Sequence, residues 1–178
     1  EKNSIEVSMR YDEYDFDSRV VVTAKGQAVE ISVWLDKPVP EKLAGEAGFN
    51  IEFLPSQYWL KTYSVDGRLG RLPRYATSQT VTRPNSEKPR QFKGFKTYDD
   101  RGTNRFVDPL PIETGHQLTL ATDQPERMIS ISSNSDLKLY DGRMLAQNGW
   151  FVLRSILPKD KTGKVLSWTV EPYAIPGW

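Results

Sequence analysis

Aromatic side chains near turns are the residues of this sequence with the most evident chemical use. A sugar ring is bound by a flat apolar face with polar groups at its edge, and tryptophan and tyrosine supply such faces. The sequence has five tryptophans and eight tyrosines. Because large aromatic residues also fill cores, as mid-strand Trp34 and Trp168 are expected to do, core packing is the alternative for each. The candidates for a sugar-binding surface are Tyr58, Trp59, Tyr63, Tyr75, Tyr98 and Trp150.

Polar groups that suit sugar hydroxyls flank a turn-rich segment late in the chain. Asp141 and Arg143 supply a carboxylate and a guanidinium, and Gln147 and Asn148 supply two amides next to Trp150. The alternative is that Asp141 and Asn148 satisfy turn backbones while Arg143 pairs with an acid. A rival patch lies in the middle of the chain and contains Arg68, Arg71, Arg74 and Tyr75.

An acidic cluster near the start of the chain offers oxygen ligands. Asp12, Glu13, Asp15 and Asp17 are the residue types that bind calcium, but they lack the full spacing of an EF-hand loop. A solvated turn explains them as well. We therefore expect no cofactor, with a structural calcium ion at Asp12, Asp15 and Asp17 as the alternative.

Signatures of catalysis are missing from the sequence. His116 is its single histidine and lies in a predicted turn, and there is no cysteine. No Gly-x-Ser-x-Gly elbow, Walker loop or dinucleotide-binding glycine pattern occurs. Carboxylates are plentiful, but a glycosidase pair is defined by its separation in space. We expect the chain not to be an enzyme by itself.

Composition indicates one folded domain without nucleic-acid or membrane partners. The 178 residues are 38% hydrophobic and 26% charged, which suits a single core. A formal net charge of +1 gives no basic field for phosphate backbones. No apolar run is long enough to span a membrane. We expect a monomer.

Alternating apolar residues predict an all-β fold. Ile5, Val7, Met9 and Tyr11 alternate with polar residues as in a half-buried strand. Two Val-rich runs around Lys25-Gly26 predict a hairpin. Further strands bring the total to about ten, which favours an antiparallel two-sheet sandwich of jelly-roll or immunoglobulin type. A long loop region is predicted from Asp66 to about Pro111. The other predicted strands are 49–54, 58–65, 117–121, 128–132, 137–140, 150–157 and 165–171.

Three segments carry a resemblance to a known family. They are 48–59 with Asp66-Gly67, 140–143 with 147–155, and 168–178. They resemble the extra N-terminal β-sandwich domain that precedes the immunoglobulin-like and catalytic domains in Bacteroidetes-type family 9 glycoside hydrolases. The resemblance covers residues 29–178, with a gap in the loop region.

The resemblance implies an extracellular, periplasmic or cell-surface parent enzyme that degrades β-glucan such as cellulose. Its catalytic carboxylates would lie outside this chain, in a catalytic domain in cis. Residues 1–178 would then form a single accessory domain excised from a larger multidomain enzyme. The resemblance supplies no binding residues, so these come from the side-chain chemistry described above.

The sequence thus predicts a secreted, non-catalytic carbohydrate-binding module for β-glucan or hemicellulose. A domain that only packs against and stabilises the catalytic module is one alternative, and a small glycosidase or lyase is another. The predicted binding residues are Tyr58, Trp59, Tyr63, Arg74, Tyr75, Asp141, Arg143, Gln147, Asn148 and Trp150.

Overall fold

The computed structural model describes residues 3–76, 80–82, 96–98, 104–143 and 149–172. These contain thirteen strands, one helix and three short 3-10 turns. The strands are β1 (Ser4–Tyr11), β2 (Phe16–Lys25), β3 (Ala28–Leu35), β4 (Gly48–Phe53), β5 (Thr62–Val65), β6 (Arg68–Arg71), β7 (Thr80–Thr82), β8 (Lys96–Tyr98), β9 (Asn104–Pro109), β10 (Glu113–Leu120), β11 (Ile129–Asp141), β12 (Phe151–Ile156) and β13 (Gly163–Pro172). The helix is α1 (Pro55–Tyr58), and the 3-10 turns are Asp12–Tyr14, Glu41–Leu43 and Pro125–Arg127.

The strands form one antiparallel ten-stranded sheet and a separate three-stranded sheet. The large sheet runs β1-β2-β3-β13-β11-β10-β5-β6, and β12 and β4 branch from β11. The small sheet has the order β7-β9-β8. The predicted all-β antiparallel class is confirmed, whereas the two-sheet sandwich is not, because the ten strands are joined into one open sheet.

The branch point is the long strand β11. Its first half, from Ile129 to Ser133, pairs with β13, and its second half, from Lys138 to Asp141, pairs with β12. Sequence analysis predicted two strands here, because Ser133-Asn134-Ser135-Asp136 is typical of a turn. In the structure these polar residues stay extended, and Asn134 Oδ1 accepts a hydrogen bond from the backbone N–H of Ser167, 2.9 Å away.

Part of the core lies between β13, in the main path of the sheet, and the branch formed by β12 and β4. Trp168 on β13 is fully buried, and its indole N–H donates to Ser155 Oγ on β12 at 3.1 Å. Phe49 on β4 packs edge-on against Trp168, with ring centroids 5.0 Å apart. One aromatic residue therefore ties β13 to β12 and β4, and its polar atom is satisfied, as a buried indole requires.

A tight hairpin fixes the position of β10. Asp66 and Gly67 both have positive φ, 47° and 81°, which is the two-residue type I′ turn that joins β5 to β6. The Asp66 carboxylate accepts backbone hydrogen bonds from His116 and Gln117, at 3.0 and 2.9 Å, where the register of β10 shifts. The turn residue thereby stabilises a bulge in the neighbouring strand.

Several local predictions need correction. The region from Asp66 to Pro111 contains four strands, β6 to β9. Tyr58 ends the helix α1 and does not begin a strand, and His116 lies within β10 and not in a turn. The predicted hairpin of β2 and β3 is confirmed, with Gly26 at φ 66° in its turn.

Candidate functional site

A buried guanidinium organises one end of the sheet. Arg143 follows β11, and it donates to Asp141 through Nε and Nη2 at 2.9 and 2.8 Å. The same guanidinium donates to the carbonyl oxygens of Arg74 and Pro73 at 2.8 and 2.7 Å. It also lies over the ring of Phe151, 4.5 Å from the centroid. Arg143 therefore fixes the chain that follows β6 against the end of β11.

Backbone contacts bring two further segments to the same place. The N–H of Leu60 donates to the carbonyl of Leu72 at 2.9 Å, which joins the end of α1 to the segment that Arg143 holds. The N–H of Gly142 donates to the carbonyl of Trp150 at 2.9 Å. Because Phe53 pairs with Phe151, the register places Leu54 beside Trp150. These hydrogen bonds connect Leu60 to the segment that Arg143 holds, and Trp150 to the residue before Arg143.

We call the exposed side chains of these linked segments the end surface. Tyr75 is 74% exposed, Trp59 is 45% exposed and Trp150 is 37% exposed. Two leucines, Leu54 and Leu60, are also about half exposed. The Arg74 guanidinium lies 5.7 Å from the centroid of the Tyr75 ring. The end surface consists of Leu54, Trp59, Leu60, Arg74, Tyr75 and Trp150.

Leu60 has an unusual backbone conformation within the end surface. Its φ is 62°, in the left-handed region that a branched side chain rarely adopts. The conformation lets Leu60 donate to Leu72 while Lys61 donates back to Tyr58 and accepts from Leu72, at 3.0 and 2.9 Å. These hydrogen bonds hold the left-handed residue in place and turn the chain from α1 into β5.

The structure divides the predicted binding residues into four groups, of which Asp141 and Arg143 are the last. Trp59, Arg74, Tyr75 and Trp150 are exposed and belong to the end surface. Tyr58 and Tyr63 pack inward: Tyr58 meets Phe53 edge-on at 5.3 Å, and Tyr63 is 6% exposed. Burial raises the pKa of both tyrosines. Gln147 and Asn148 lie outside the described residues.

Asp141 and Arg143 serve a structural role in this arrangement. The Asp141 side chain is 2% exposed and that of Arg143 is 11% exposed. The backbone N–H of Arg143 also donates to Asp141 Oδ1 at 3.2 Å. This is the alternative that the sequence left open, in which Arg143 pairs with an acid. No pattern in the sequence indicates that Arg143 binds the carbonyl groups of Pro73 and Arg74.

The other predicted patches are paired within the chain. Arg68 donates to Glu113 and to the carbonyl of Thr114, at 3.3 and 2.9 Å. Arg71 lies at the end of β6. His116 Nε2 lies 3.6 Å from Asp136 Oδ1, and both side chains are mostly exposed.

The acidic cluster near β1 binds cations of the chain itself. Arg10 donates to Asp12, Asp15 and Asp17 at 2.8, 3.0 and 2.9 Å. Lys37 donates to Asp15 at 3.0 Å, and hydrogen bonds from Lys37 and Arg10 lower the pKa of Asp15. Within the ranges that the structure describes, no three acidic or histidine side chains are placed to hold a metal ion. The calcium site stays a prediction.

A cleft of about 260 Å³ opens between strands β1 to β3 and the branch formed by β4 and β12. Arg154 lines it and donates to Asn50 Oδ1 at 3.2 Å and to the carbonyl of Glu46. Burial lowers the pKa of Arg154. No local sequence pattern predicts this cleft, because its walls come from strands far apart in the chain. They include Tyr11, Phe16, Val33, Phe49, Asn50 and Arg154.

In the described part of the chain, no helix is both long enough and apolar enough to cross a bilayer. Comparisons with family models, curated proteins and solved structures found no match to this chain.

Proposed function

We propose that this chain is a non-catalytic carbohydrate-binding module that recognises β-glucan or hemicellulose outside the cell, beside a glycoside hydrolase catalytic domain. The observation that carries the proposal is the end surface, where Trp59, Tyr75 and Trp150 are all substantially exposed. Exposed apolar side chains that are grouped on a surface are typical of binding sites. Sugar rings present apolar C–H faces of the matching shape.

The fixed geometry of the end surface supports this proposal. Arg143 holds the carbonyl groups of Pro73 and Arg74, which immediately precede Tyr75. Leu60 is held to Leu72 through its backbone, which fixes the neighbouring Trp59. A platform that is already ordered loses little conformational entropy on binding. Arg74 supplies donors for hydroxyl groups at the edge of the platform.

The openness of the end surface favours long chains over chain ends. Its aromatic residues come from three separate segments, which backbone hydrogen bonds and Arg143 connect. Such a surface suits an extended polysaccharide that passes across it. A β-linked glucan chain presents flat faces at successive residues, so several aromatics can each contact one ring. We therefore assign internal segments of β-glucan or hemicellulose as the ligand.

Calorimetry and affinity electrophoresis test the proposal. The chain is titrated with cellulose oligosaccharides, mixed-linkage glucan, xyloglucan and xylan. We expect binding to at least one, and a loss of about ten-fold for Trp59→Ala, Tyr75→Ala or Trp150→Ala, since each removes one aromatic contact. Tyr11→Ala is the matched control, because Tyr11 is 40% exposed on β1 and lies outside the end surface. Absence of binding at millimolar sugar rejects the proposal.

A second candidate is a structural domain that packs against the catalytic module. Leu54 and Leu60 favour it, since they are exposed beside the aromatic residues and have no role toward sugar hydroxyls. Deletion of the domain from the parent enzyme separates the two functions. A structural domain predicts a lower melting temperature of the parent, whereas a binding module predicts lost activity on insoluble substrate at unchanged stability.

A further inference from the structure

Strand β1 has one open edge. It stands at the end of the ten-stranded sheet, and among the described strands it pairs only with β2. An open edge presents a row of backbone donors and acceptors that another strand can bind. Two of its apolar side chains are also exposed, Ile5 at 69% and Val7 at 54%. The sequence predicted a half-buried strand, and the structure leaves these positions uncovered.

The hydrogen-bonding parity of β1 shows which residues face outward. The N–H of Ala24 donates to the carbonyl of Asn3 at 2.9 Å, so these two form a hydrogen-bonded pair. Hydrogen-bonded pairs alternate along an antiparallel ladder. In the register of β1 and β2, the backbone groups of Ser4, Glu6, Ser8 and Arg10 must therefore point to the open edge.

We propose that two copies of the chain pair antiparallel through β1, about a two-fold axis at Ser8. In this register Ser8 lies opposite Ser8 of the second copy, and Glu6 lies opposite Arg10 of the second copy. By symmetry, Arg10 lies opposite Glu6 of the second copy, which makes three pairs. All three join outward-facing residues, so each forms hydrogen bonds. The ladder contains about six backbone hydrogen bonds, two for each such pair.

Charge selects this register over its neighbours. Antiparallel pairing about Glu6 would set two glutamates opposite each other, and pairing about Arg10 would set two arginines together. Pairing about Met9 would place Glu6 opposite Asp12 of the second copy, and pairing about Val7 would place Glu6 opposite Ser8, with no ion pair. Opposed like charges destabilise a sheet, and opposite charges stabilise it. Only the axis at Ser8 gives two Glu–Arg pairs.

Apolar complementarity follows from the same register. Val7 lies opposite Met9 of the second copy, and Ile5 lies opposite Tyr11 of the second copy. These four side chains share one face of β1, because alternate residues point to the same side. Pairing therefore covers the exposed apolar positions of β1. The apolar face of the sheet then continues from one copy into the other.

Sedimentation velocity from about 10 µM to 1 mM tests the dimer, as a single strand pair makes a small, weak interface. We expect concentration-dependent dimers in the wild type. Glu6→Arg should weaken dimerisation at least about ten-fold, because it sets two cations opposite each other where Glu6 and Arg10 pair. Arg10 is left unchanged, because it also binds Asp12, Asp15 and Asp17 of its own chain. Circular dichroism of the variant at low concentration establishes that it is folded.

Cross-linking tests the position of the axis. The chain has no cysteine, so Ser8→Cys supplies a single thiol at the axis. A short bismaleimide should cross-link this variant rapidly. Ser4→Cys is the matched control: its thiols would lie far apart in the dimer and should not react in pairs. A wild type that remains monomeric at 1 mM overturns the inference, and so does equal cross-linking of both variants. Neither result changes the expectation that the monomer binds sugar.

Discussion

The buried carboxylate of Asp141 and the guanidinium of Arg143 form a two-point ion pair, with oxygen–nitrogen distances of 2.9 and 2.8 Å. Arg143 also donates to the two backbone carbonyls that precede Tyr75. The pair therefore connects the interior of the sheet to the most exposed aromatic of the end surface. The proposed function depends on this pair, because it fixes the segment that carries Tyr75.

Asp141→Asn should destabilise the chain by about 3 kcal/mol, because it leaves a buried guanidinium without its counter-charge. Chemical denaturation with urea measures the free energy of unfolding. Asp136→Asn is the control, as Asp136 is 61% exposed and its contact with His116 is long. We expect that control to change stability by less than about 0.5 kcal/mol. Equal effects of the two substitutions would contradict the structural role of Asp141.

Gly115→Ala should destabilise the chain by about 2 to 4 kcal/mol, since a side chain at this position has no room. An added Cβ would lie 2.3 Å from an Asp66 carboxylate oxygen and 2.5 Å from Val65 Cγ1. Thermal unfolding followed by circular dichroism measures the loss. Gly149→Ala is matched to it, because no atom of the described residues lies within 4 Å of a Cβ there and its φ is not positive. A wild-type melting temperature for Gly115→Ala would refute the close approach of Asp66.

Asp66 should make stability depend on acid pH. Backbone hydrogen bonds from Gln117 and His116 lower its pKa in the folded state, whereas the pKa of an unfolded aspartate is about 3.9. The folded state therefore binds the proton less tightly. The contribution is fully present above the unfolded pKa and is lost as the pH falls through the lower folded pKa.

Asp66→Asn tests this pH dependence, because asparagine also tolerates the left-handed backbone at φ 47°. Unfolding of both proteins is measured between pH 2 and 7. We expect the difference in stability to be largest near neutral pH and to shrink below about pH 4. A difference that stays constant with pH would show that the Asp66 carboxylate titrates alike in both states.

Leu60→Gly should leave the fold as stable as the wild type, or more stable by up to about 1 kcal/mol, because glycine adopts positive φ without steric cost. The same substitution removes an exposed apolar side chain from the end surface. Leu69→Gly is the comparison: Leu69 is 78% exposed on β6, and its φ is not positive. Glycine within a strand should cost about 1 kcal/mol there. Differential scanning calorimetry measures both changes.

Local patterns in the sequence were enough to predict the all-β class and the hairpin of β2 and β3. They failed at β11, where Ser133-Asn134-Ser135-Asp136 is polar enough for a turn. The branch of the sheet makes these residues extended, since β13 contacts one half of β11 and β12 contacts the other. Branching depends on pairing between distant segments, which a local pattern does not encode.

The sequence named some of the residues of the end surface. Trp59, Tyr75 and Trp150 are candidates because aromatic residues in or beside turns offer flat faces to sugar rings, and all three are exposed in the structure. Tyr63 was selected by the same reasoning, but β5 points it into the core against Gly70. Leu60 carried no signal, because its exposure follows from a left-handed backbone that the sequence around it does not indicate.

Indole resonances provide the most direct test of the end surface. The N–H signals of the tryptophans are followed by NMR while a cello-oligosaccharide or a mixed-linkage glucan fragment is added. The account predicts saturable shifts for Trp59 and Trp150, and none for Trp168, whose indole is buried and bonded to Ser155. If Trp59 and Trp150 do not move with any glucan or hemicellulose fragment, sugar recognition at the end surface is contradicted.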